Sequence, residues 1–468
     1  MRRVMTKKIS FIVFLVGFAA SSMHPYNTEA QTPEPGANAQ QATQKITDSG
    51  EIRNPLSLER CIEIALAKNP EIAAAQWDIS AANSRLDAAR AAFWPQVGIE
   101  GAYQHYVDNQ RLIAAEFNGQ LGVFDNDILR GDLVGRMNLY SGGRITSEAG
   151  AAEKLSEAEK KKFIRTREEL IYSVSGVFYS ILGQQKIIAS LEFSRRALEE
   201  NMKRVLQLYD VQKVAKVDIL RTEVRLTNLK QNLLKEENAL AVQKRILFSL
   251  MGIDVVPENA PFDEKLEPAE TPVDTDWLVE TAMRNRPDYQ AAKDRMEAQA
   301  FRVGAAEAGH WPSINLVGSY GVRNAPSPED IGRNSETTRD AGFIGLVVTV
   351  PLFEGGRVSA KVSEETAALA AAQERLRKLE LQIRQETETA ALDVLSNNAR
   401  IKATEKSIEQ AKESFRIESL KYELGKGSIT DVLDAQSAQL EAETTYYRAL
   451  IDYHISTARL KLATGATI

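Results

Sequence analysis

Acidic residues are the clearest candidates for chemistry in this sequence. Asp431 and Asp434 lie three positions apart, and Asp218 has a similar context in the first half of the chain. Two carboxylates at this spacing can resemble the acid and base of a hydrolase. They follow the turn of a helical hairpin, however, and nothing around them indicates a pocket. The four histidines are isolated in the sequence: His24, His105, His310 and His454.

Composition argues against several classes of protein. We find no phosphate-binding glycine loop, no metal-ligand spacing and no nucleophile paired with a base, so we expect no enzymatic activity, no metal and no cofactor. The net charge is −6 and no basic face is concentrated anywhere, which argues against a nucleic-acid partner. The single cysteine, Cys61, rules out an intramolecular disulfide, and we interpret it as a small apolar residue on a helix face.

A repeated strand-to-helix turn organises the chain. A Gly-Gly pair ends an alternating segment and precedes a long helical pattern twice, first at Gly142-Gly143 and again at Gly355-Gly356. Asp218 and Asp431 are separated by the same interval as these pairs. Two glycines let the backbone change direction without a Cβ clash. We therefore predict two copies of one unit, built as helix, strand, loop, strand, long helix, turn and helix.

The segments before these turns alternate apolar and polar residues with the period of strands. Each alternation begins after a Trp-Pro pair, at Trp94-Pro95 and at Trp311-Pro312. We predict two strands of about ten residues per copy, a length that suits a tilted membrane strand, with a polar loop over residues 108–129 in the first copy. The tryptophans would lie at a membrane interface. An ordinary soluble sheet with one polar face is an open alternative. The predicted apolar face comprises Val97, Ile99, Tyr103, Val107, Leu133, Met137, Leu139, Ile314, Leu316, Tyr320, Val322, Leu346, Val348, Val350 and Leu352.

The helical patterns are long and periodic. Residues 144–210 contain no proline and predict a helix about 100 Å long. Its apolar residues step by four and three, which indicates a coiled-coil seam, formed by Leu170, Val174, Val177, Ile181, Gln184, Ile188, Leu191, Arg195, Leu198, Met202 and Val205. A shorter return helix of about 50 Å follows. We predict an antiparallel pillar in which two short helices, stacked end to end, match one long helix.

The N-terminus has the pattern of an export signal. Basic residues precede an apolar run over residues 9–20, and Thr28-Glu29-Ala30 offers a cleavage site, with a competing site near Ala20. We expect a signal peptide over 1–30, a disordered lead over 31–55, a first repeat over 56–252, a proline-rich equatorial linker over 253–276 and a second repeat over 277–465.

Four short strands cannot close a barrel, and open strand edges are not tolerated in lipid. Closure therefore requires several copies of the chain. Three copies give twelve strands, within the range of outer-membrane barrels. The predicted fold is an α+β membrane protein with four transmembrane strands and long antiparallel coiled-coil helices per chain. A trimer would form a 12-stranded β-barrel above an α-helical barrel.

With these motifs duplicated, residues 56–465 resemble the TolC-type outer-membrane efflux protein family of Gram-negative bacteria. The resemblance rests on Asn69-Pro70, the Trp-Pro pairs, the Gly-Gly-Arg turns and Tyr422-Glu423-Leu424-Gly425. It implies a homotrimeric exit duct in the cell outer membrane, extending into the periplasm and embedded in outer-membrane lipid. Its partners would be a periplasmic adaptor protein and an inner-membrane transporter of the RND or ABC type.

The resemblance also implies roles for residues near the helical turns. The periplasmic aperture and gate would comprise Asp218, Tyr422, Asp431 and Asp434. The adaptor would face the hairpin tips at Val211, Gln212, Leu424, Gly425 and Lys426. Carboxylates from three chains at one constriction create a field that favours cations. Asp218 and Asp431 could instead, or in addition, be helix N-caps. The sequence departs from the family at Gly427, where some members have a gating arginine, and at Gln212, where glycine is expected.

One alternative to a channel is compatible with an exported coiled coil. Such a chain could be a periplasmic adaptor or a structural stalk. Adaptors contain helical hairpins, but they do not combine two strand pairs in register with two long helices. We therefore favour the outer-membrane duct.

Overall fold

A computed structural model describes residues 55–115, 122–254, 261, 262, 266, 274–328 and 337–466. The expected signal peptide over 1–30, all but the last residue of the lead over 31–55 and two thirds of the linker over 253–276 lie outside these residues. The first half of the chain forms six elements: α1 (Leu58–Lys68), α2 (Pro70–Ala91), β1 (Gln96–Arg111), β2 (Phe124–Tyr140), α3 (Arg144–Asp210) and α4 (Lys216–Leu250).

The second half repeats this order with closely similar lengths. It contains α5 (Thr275–Asn285), α6 (Pro287–Glu307), a short 3-10 turn at Ala308–His310, β3 (Ser313–Asn324), β4 (Thr338–Thr349), α7 (Arg357–Glu423) and α8 (Ile429–Thr464). The long helices α3 and α7 each have 67 residues, as predicted for the first. Ser57 caps α1 by accepting a hydrogen bond from the Arg60 amide at 3.3 Å, and a proline occupies the first turn of both α2 and α6.

The helices form a wall in which short helices pack along the long ones. Helix α3 packs against α2 and α4 on one side and against α6 and α8 on the other, while α7 packs against α5, α6 and α8. Because every residue of a helix adds the same rise, the 22 residues of α2 and the 35 of α4 together nearly match the 67 of α3. Among the described residues, no helix combines the length and hydropathy needed to cross a membrane.

The predicted seam of α3 forms the centre of this wall. Seven of its positions are buried: Leu170, Val174, Ile181, Gln184, Leu191, Leu198 and Val205. Both polar interruptions have partners, since the Gln184 amide donates to the Glu236 carboxylate at 2.6 Å and Arg195 pairs with Glu199 at 3.0 Å. A buried amide needs such a partner, because an unsatisfied polar group in the core costs stability.

The four strands form one antiparallel sheet in the order β1-β2-β3-β4. On one face, Ile99 lies opposite Leu133 and Leu316 opposite Leu346. The other face carries ion pairs between charged side chains. There Glu100 pairs with Arg136 at 2.8 Å and Asp132 with Arg323 at 2.6 Å. The predicted separation of an apolar and a polar face is confirmed.

The predicted strand lengths are wrong for the first hairpin. Strands β1 and β2 have 16 and 17 residues where about ten were predicted, so residues 108–111 and 124–129 belong to strands and not to the loop. The alternation of apolar and polar residues fades there, although pairing with β2 resumes at Gln110 after a register shift that follows His105. Side-chain hydrogen bonds across the strands support this extension, including one from Tyr103 to Asp127 at 2.6 Å.

The end of the last strand also differs from the prediction. Strand β4 ends at Thr349, so Val350 and Leu352 lie beyond it. Pro351 lies two positions after Thr349 and has no backbone N–H to donate to a neighbouring strand. Tyr140 is the last residue of β2, whereas its counterpart Phe353 lies four positions beyond β4 and is 90% exposed.

Both strand-to-helix turns use the left-handed backbone region. The φ angles are +65° and +91° at Gly142 and Gly143, and +61° and +83° at Gly355 and Gly356. Of these four, only Gly142 is also sterically required, because a Cβ there would lie 2.5 Å from the Cβ of Trp311. The first turn is therefore packed against the second repeat, while the second turn is open.

One buried junction is built differently in the two repeats. The Asn69 amide donates to the Leu250 carbonyl at 2.9 Å. At the equivalent place in the second repeat, the Arg286 guanidinium donates to the Ala463 carbonyl at 3.5 Å and pairs with Asp288 at 2.6 Å and Glu386 at 2.7 Å. The second junction therefore joins α6, α7 and the end of α8 through one cation.

His454 provides a pH-dependent contribution to stability. Its ring stacks on Tyr179 with centroids 4.2 Å apart, and its buried Nε2 has no hydrogen-bond partner among the described residues. Burial lowers the pKa of His454 to about 4. The unfolded state, with a pKa near 6.5, therefore binds more protons between pH 6.5 and pH 4, and stability falls as the pH drops through that window.

We expect His454 to cost the folded chain roughly 2–3 kcal/mol between pH 7 and pH 4. His454→Phe keeps an aromatic ring for Tyr179 to stack on and should remove this part of the pH dependence. Denaturant unfolding of both chains at the two pH values measures the difference. An identical pH dependence in the variant would show that His454 does not carry this contribution.

Candidate functional site

The candidate site lies where each long helix turns into its return helix. The first tip comprises residues 211–215 between α3 and α4, and the second tip comprises residues 424–428 between α7 and α8. Both turns close with the same backbone hydrogen bonds: Gln212 to Tyr209, Lys213 to Leu208, Gly425 to Tyr422 and Lys426 to Lys421. The residues predicted to face an adaptor are exposed at these two turns: Val211, Gln212, Leu424, Gly425 and Lys426.

Gln212 occupies the position that glycine takes in the second tip. Its φ angle is +58°, against +69° at Gly425, and it is the one residue other than glycine with positive φ in the described part of the chain. A left-handed conformation costs a residue with a Cβ roughly 1–2 kcal/mol. The departure from the family pattern therefore leaves the shape of the turn unchanged and introduces strain.

We expect Gln212→Gly to stabilise the chain by about 0.5–1 kcal/mol, because the relief of strain exceeds the entropy that a glycine adds to the unfolded state. Gly425→Ala is the matched opposite and should destabilise by a similar amount. Both are measured as shifts in denaturation midpoint at constant slope. A loss of stability in Gln212→Gly would mean that the glutamine side chain contributes more than the strain it causes.

Asp218 and Asp431 cap the return helices, although not from the position predicted. The N-cap residues are Ala215 and Ser428, and each aspartate lies three positions into its helix. Each carboxylate accepts a hydrogen bond from the N-cap amide at 3.3 Å, which is the return half of a capping box. The expectation that these aspartates are N-caps is therefore wrong in position. Their carboxylates still satisfy free amides at the helix starts.

The fold brings Tyr422 of the second repeat to Asp218 of the first. Tyr422 packs in one apolar cluster with Val214 of the first tip and with Ile219 of α4. Within the described chain its buried hydroxyl has no hydrogen-bond partner. Burial raises the pKa of Tyr422, the negative charge of Asp218 raises it further, and Arg204 opposes them. Two of the four predicted aperture residues therefore interact across the repeats.

Asp431 and Asp434 remain exposed on the other side of the second tip. Their neighbours Val432 and Leu433 are buried against the first repeat, so the helix presents its apolar residues inward and both carboxylates outward. Both carboxylates are therefore accessible to solvent, although that of Asp431 also accepts the hydrogen bond from the Ser428 amide.

Arginines of the first repeat hold the second tip, and the sequence did not reveal them. Arg204 pairs with Glu423 at 2.8 Å, Arg221 donates to the Thr430 hydroxyl at 3.0 Å, and Arg225 donates to Ser437. Deeper in the wall, the Gln436 amide donates to the Ser194 hydroxyl at 3.2 Å. Each of these contacts joins one repeat to the other, and no local pattern marks them.

The remaining predicted residues lie at the opposite end of the long helices. Trp94 and Trp311 stand just before β1 and β3 and are 68% and 60% exposed. Gly142, Gly143, Gly355 and Gly356 form the turns into α3 and α7. The tip and the sheet are thus separated by the length of α3, about 100 Å.

A model of the outer membrane efflux protein family matches residues 61–253 and 278–466. These two segments contain every helix and strand described above, apart from the first turns of α1 and α5. The chain belongs to the outer membrane efflux protein family. This assignment does not support the alternative of a periplasmic adaptor or stalk.

Individual relatives agree with the family. Outer membrane protein TolC of Vibrio cholerae serotype O1 is 20% identical over 402 residues, covering 86% of this chain and 89% of that protein. The proteases secretion protein PrtF of Dickeya chrysanthemi is 24% identical, covering 65% of this chain and 66% of its own length. The crystal structure of the outer membrane protein VceC from Vibrio cholerae superposes with a TM-score of 0.74 at 19% identity, over 87% of this chain and 96% of that one.

Proposed function

We propose that three copies of this chain form the outer-membrane exit duct of an export machine. The observation that carries the proposal is the open sheet. Within the described strands, β1 and β4 each have a hydrogen-bonded neighbour on one side only. In lipid such edges must be paired, and pairing β4 of one copy with β1 of the next closes a barrel of twelve strands.

The helical wall supports the same closure. Its outer helices on one side are α2 and α4, and its outer helix on the other is α7. Apolar stripes on both sides of one wall indicate an interface in which α4 of one copy meets α7 of the next. The exposed apolar residues are Val217, Leu220, Val224 and Leu234 on α4, with Leu381, Leu392, Leu395 and Leu420 on α7.

The sheet supplies both surfaces that a pore requires. The face with Glu100, Arg136, Asp132 and Arg323 would line a water-filled lumen, and the apolar face would contact outer-membrane lipid. Trp94 and Trp311 would mark the interface nearer the helices, where indole rings are favoured. The helices, continuing below the sheet, would extend the pore into the periplasm.

The two tips would form the periplasmic aperture. Three copies place six carboxylates, from Asp431 and Asp434, around one constriction, where they would favour cations. Tyr422, Asp218 and the arginines of the first repeat would hold each second tip against its neighbour. The exposed turns at residues 211–212 and 424–426 would contact a periplasmic adaptor, which joins the duct to an inner-membrane transporter of the RND or ABC type.

The proposed path to the membrane uses the N-terminal segment. A signal peptide over residues 1–30 would direct export, followed by a lead over 31–55 and repeats over 56–252 and 277–465 joined by a linker over 253–276. The family is one of transport proteins, and we propose neither an enzymatic activity nor a cofactor for this chain.

Purification from outer membranes tests the proposal. We expect the chain to require detergent for extraction, to have the mass of a trimer, and to form discrete conductance steps when added to a planar lipid bilayer. A monomer in the soluble fraction that forms no pores would refute it. Cross-linking in intact cells would identify the adaptor and transporter.

A further inference from the structure

The apolar face of the sheet ends in the same way in both hairpins. In the first hairpin the Tyr103 hydroxyl donates to the Asp127 carboxylate at 2.6 Å, and in the second the Tyr320 hydroxyl donates to Asp340 at 2.9 Å. The two tyrosines have the same spacing as the Trp-Pro pairs, and the two aspartates have the same spacing as the Gly-Gly turns. The Tyr–Asp pairs, Tyr103–Asp127 and Tyr320–Asp340, are therefore equivalent in the two repeats.

Both pairs lie on the face that we assign to lipid. Tyr103 shares this face with Ile99, since the two are four positions apart along β1 and side chains alternate along a strand. Tyr320 lies opposite Leu133, which in turn lies opposite Ile99. Between the tryptophans and the tyrosines, the residues of β1 and β3 on this face are all apolar or glycine. The Tyr–Asp pairs are where ionised groups first occur on that face.

The distance to the tryptophans matches the thickness of a membrane. Tyr103 lies nine positions after Trp94, and Tyr320 lies nine positions after Trp311. At about 3.3 Å per residue this is roughly 30 Å along the strand. A tilt of about 35–45° reduces it to roughly 21–24 Å of height, close to the apolar band of about 25 Å in outer-membrane barrels.

We propose that the Tyr–Asp pairs bind the headgroup layer of the lipid leaflet farther from the helices and set the upper edge of the apolar band. This inference rests on the proposed function, because it requires the sheet to be in lipid. A tyrosine ring suits acyl chains while its hydroxyl requires a polar partner. A carboxylate is costly in hydrocarbon, so Asp127 and Asp340 hold this level of the sheet in the hydrated headgroups.

His105 adds to the pair in the first hairpin. Its Nδ1 lies 2.7 Å from the same Asp127 oxygen that accepts from Tyr103. The equivalent residue of β3 is Val322, which lies opposite Asp340. The first hairpin therefore presents one more polar group to the headgroups than the second, and β1 continues beyond His105 as far as Arg111.

Spin-label depth measurements on the full chain in lipid vesicles test the proposal. Single cysteines replace Ile99 and Leu316, which lie below the pairs, Val107, which lies above the first pair, or Val322, which lies level with Asp340. The native Cys61 is fully buried, and the labelled parent chain serves as the control. We expect labels at 99 and 316 to be relaxed by oxygen, which is concentrated in lipid, and labels at 107 and 322 by a water-soluble nickel chelate. The crossover, the level on the strand where accessibility changes from oxygen to the chelate, would then lie at the Tyr–Asp pairs in both hairpins.

The aspartates are then replaced. Asp127→Leu with Asp340→Leu should move the crossover outward by about two residues, one repeat of the strand alternation, so that the label at 322 becomes accessible to oxygen. Glu100→Gln, on the opposite face, is the matched control and should move nothing. A crossover that does not respond to the leucine substitutions, or that lies at different levels in the two hairpins, overturns this inference.

The failure of the proposed function would give a different result. If the sheet is not in lipid, all four labels will be relaxed by the nickel chelate, including those at 99 and 316. That outcome refutes both the membrane proposal and the proposed role of the Tyr–Asp pairs. If labels at 99 and 316 are accessible to oxygen but the crossover lies at another level than the Tyr–Asp pairs, only the proposed role of the pairs is refuted.

Discussion

Replacing Arg286 with alanine is expected to lower the free energy of unfolding by about 3 kcal/mol, because it removes a buried side chain and its charge-assisted hydrogen bonds to Asp288 and Glu386. The guanidinium is 2% exposed and pairs with Asp288 at 2.6 Å and Glu386 at 2.7 Å. Burial favours the neutral form of Arg286, but the hydrogen bonds and charges of the two carboxylates outweigh it and raise its pKa. Denaturant unfolding in detergent, followed by circular dichroism, measures the loss.

The pH dependence of this loss follows from Asp288. Burial would raise the pKa of Asp288, but its hydrogen bonds and charge pairing with Arg286 prevail and lower it below its ordinary value. A carboxylate with a lowered pKa contributes stability above the pKa of the unfolded state, near 4, and that contribution is lost as the pH falls through the folded value. The difference between native chain and Arg286→Ala should therefore shrink below about pH 4.

Arg284 provides the matched control for Arg286. It lies two positions earlier, is 72% exposed, and pairs with Glu280 at 2.6 Å along the same helix. An exposed pair of this kind contributes less than about 0.5 kcal/mol, so Arg284→Ala should be nearly neutral. Equal effects of the two substitutions would contradict the view that Arg286 joins α6, α7 and α8 as a buried junction.

The second large effect concerns the pore. Asp431→Ala with Asp434→Ala is expected to reduce the preference for cations over chloride about tenfold, which corresponds to the loss of roughly 1.4 kcal/mol of favourable potential. In a trimer the change removes six exposed carboxylates from the proposed aperture. Reversal potentials in planar bilayers under a salt gradient measure it, and raising the salt concentration should weaken the native preference.

The two roles of Asp431 can be separated by a second variant. Its carboxylate also accepts a hydrogen bond from the Ser428 amide at 3.3 Å, so alanine removes a helix cap as well as a charge. Asp431→Asn with Asp434→Asn keeps an acceptor oxygen and removes only the charge, and it should lower selectivity as much as the alanine pair. If the asparagine variant retains native selectivity, the carboxylates only cap the helix.

Strand ends and capping positions show where sequence reasoning reached its limit. The alternation that identifies β1 and β2 comes from one apolar and one polar face. It fades towards the hairpin loop, where Ile128 is buried on the polar face in a cluster with Leu112 and Val123. Pairing with β2 nevertheless resumes after a register shift and reaches Arg111, because backbone pairing does not require alternating faces. Similarly, the sequence predicts that Asp218 and Asp431 are N-caps, whereas the N-caps are Ala215 and Ser428. The turn ends three positions earlier than the acidic side chain suggests.

The sequence alone determined the repeat, the two long helices, the turns at Gly142 and Gly355, and the family. Each of these depends on local signals, such as glycine pairs, the absence of proline and heptad spacing, which act through neighbouring backbone hydrogen bonds. The tertiary structure alone decided which residues of one repeat meet those of the other. It placed Tyr422 beside Asp218 and Arg204 on Glu423. Such contacts follow from how the two repeats pack, which no local pattern specifies.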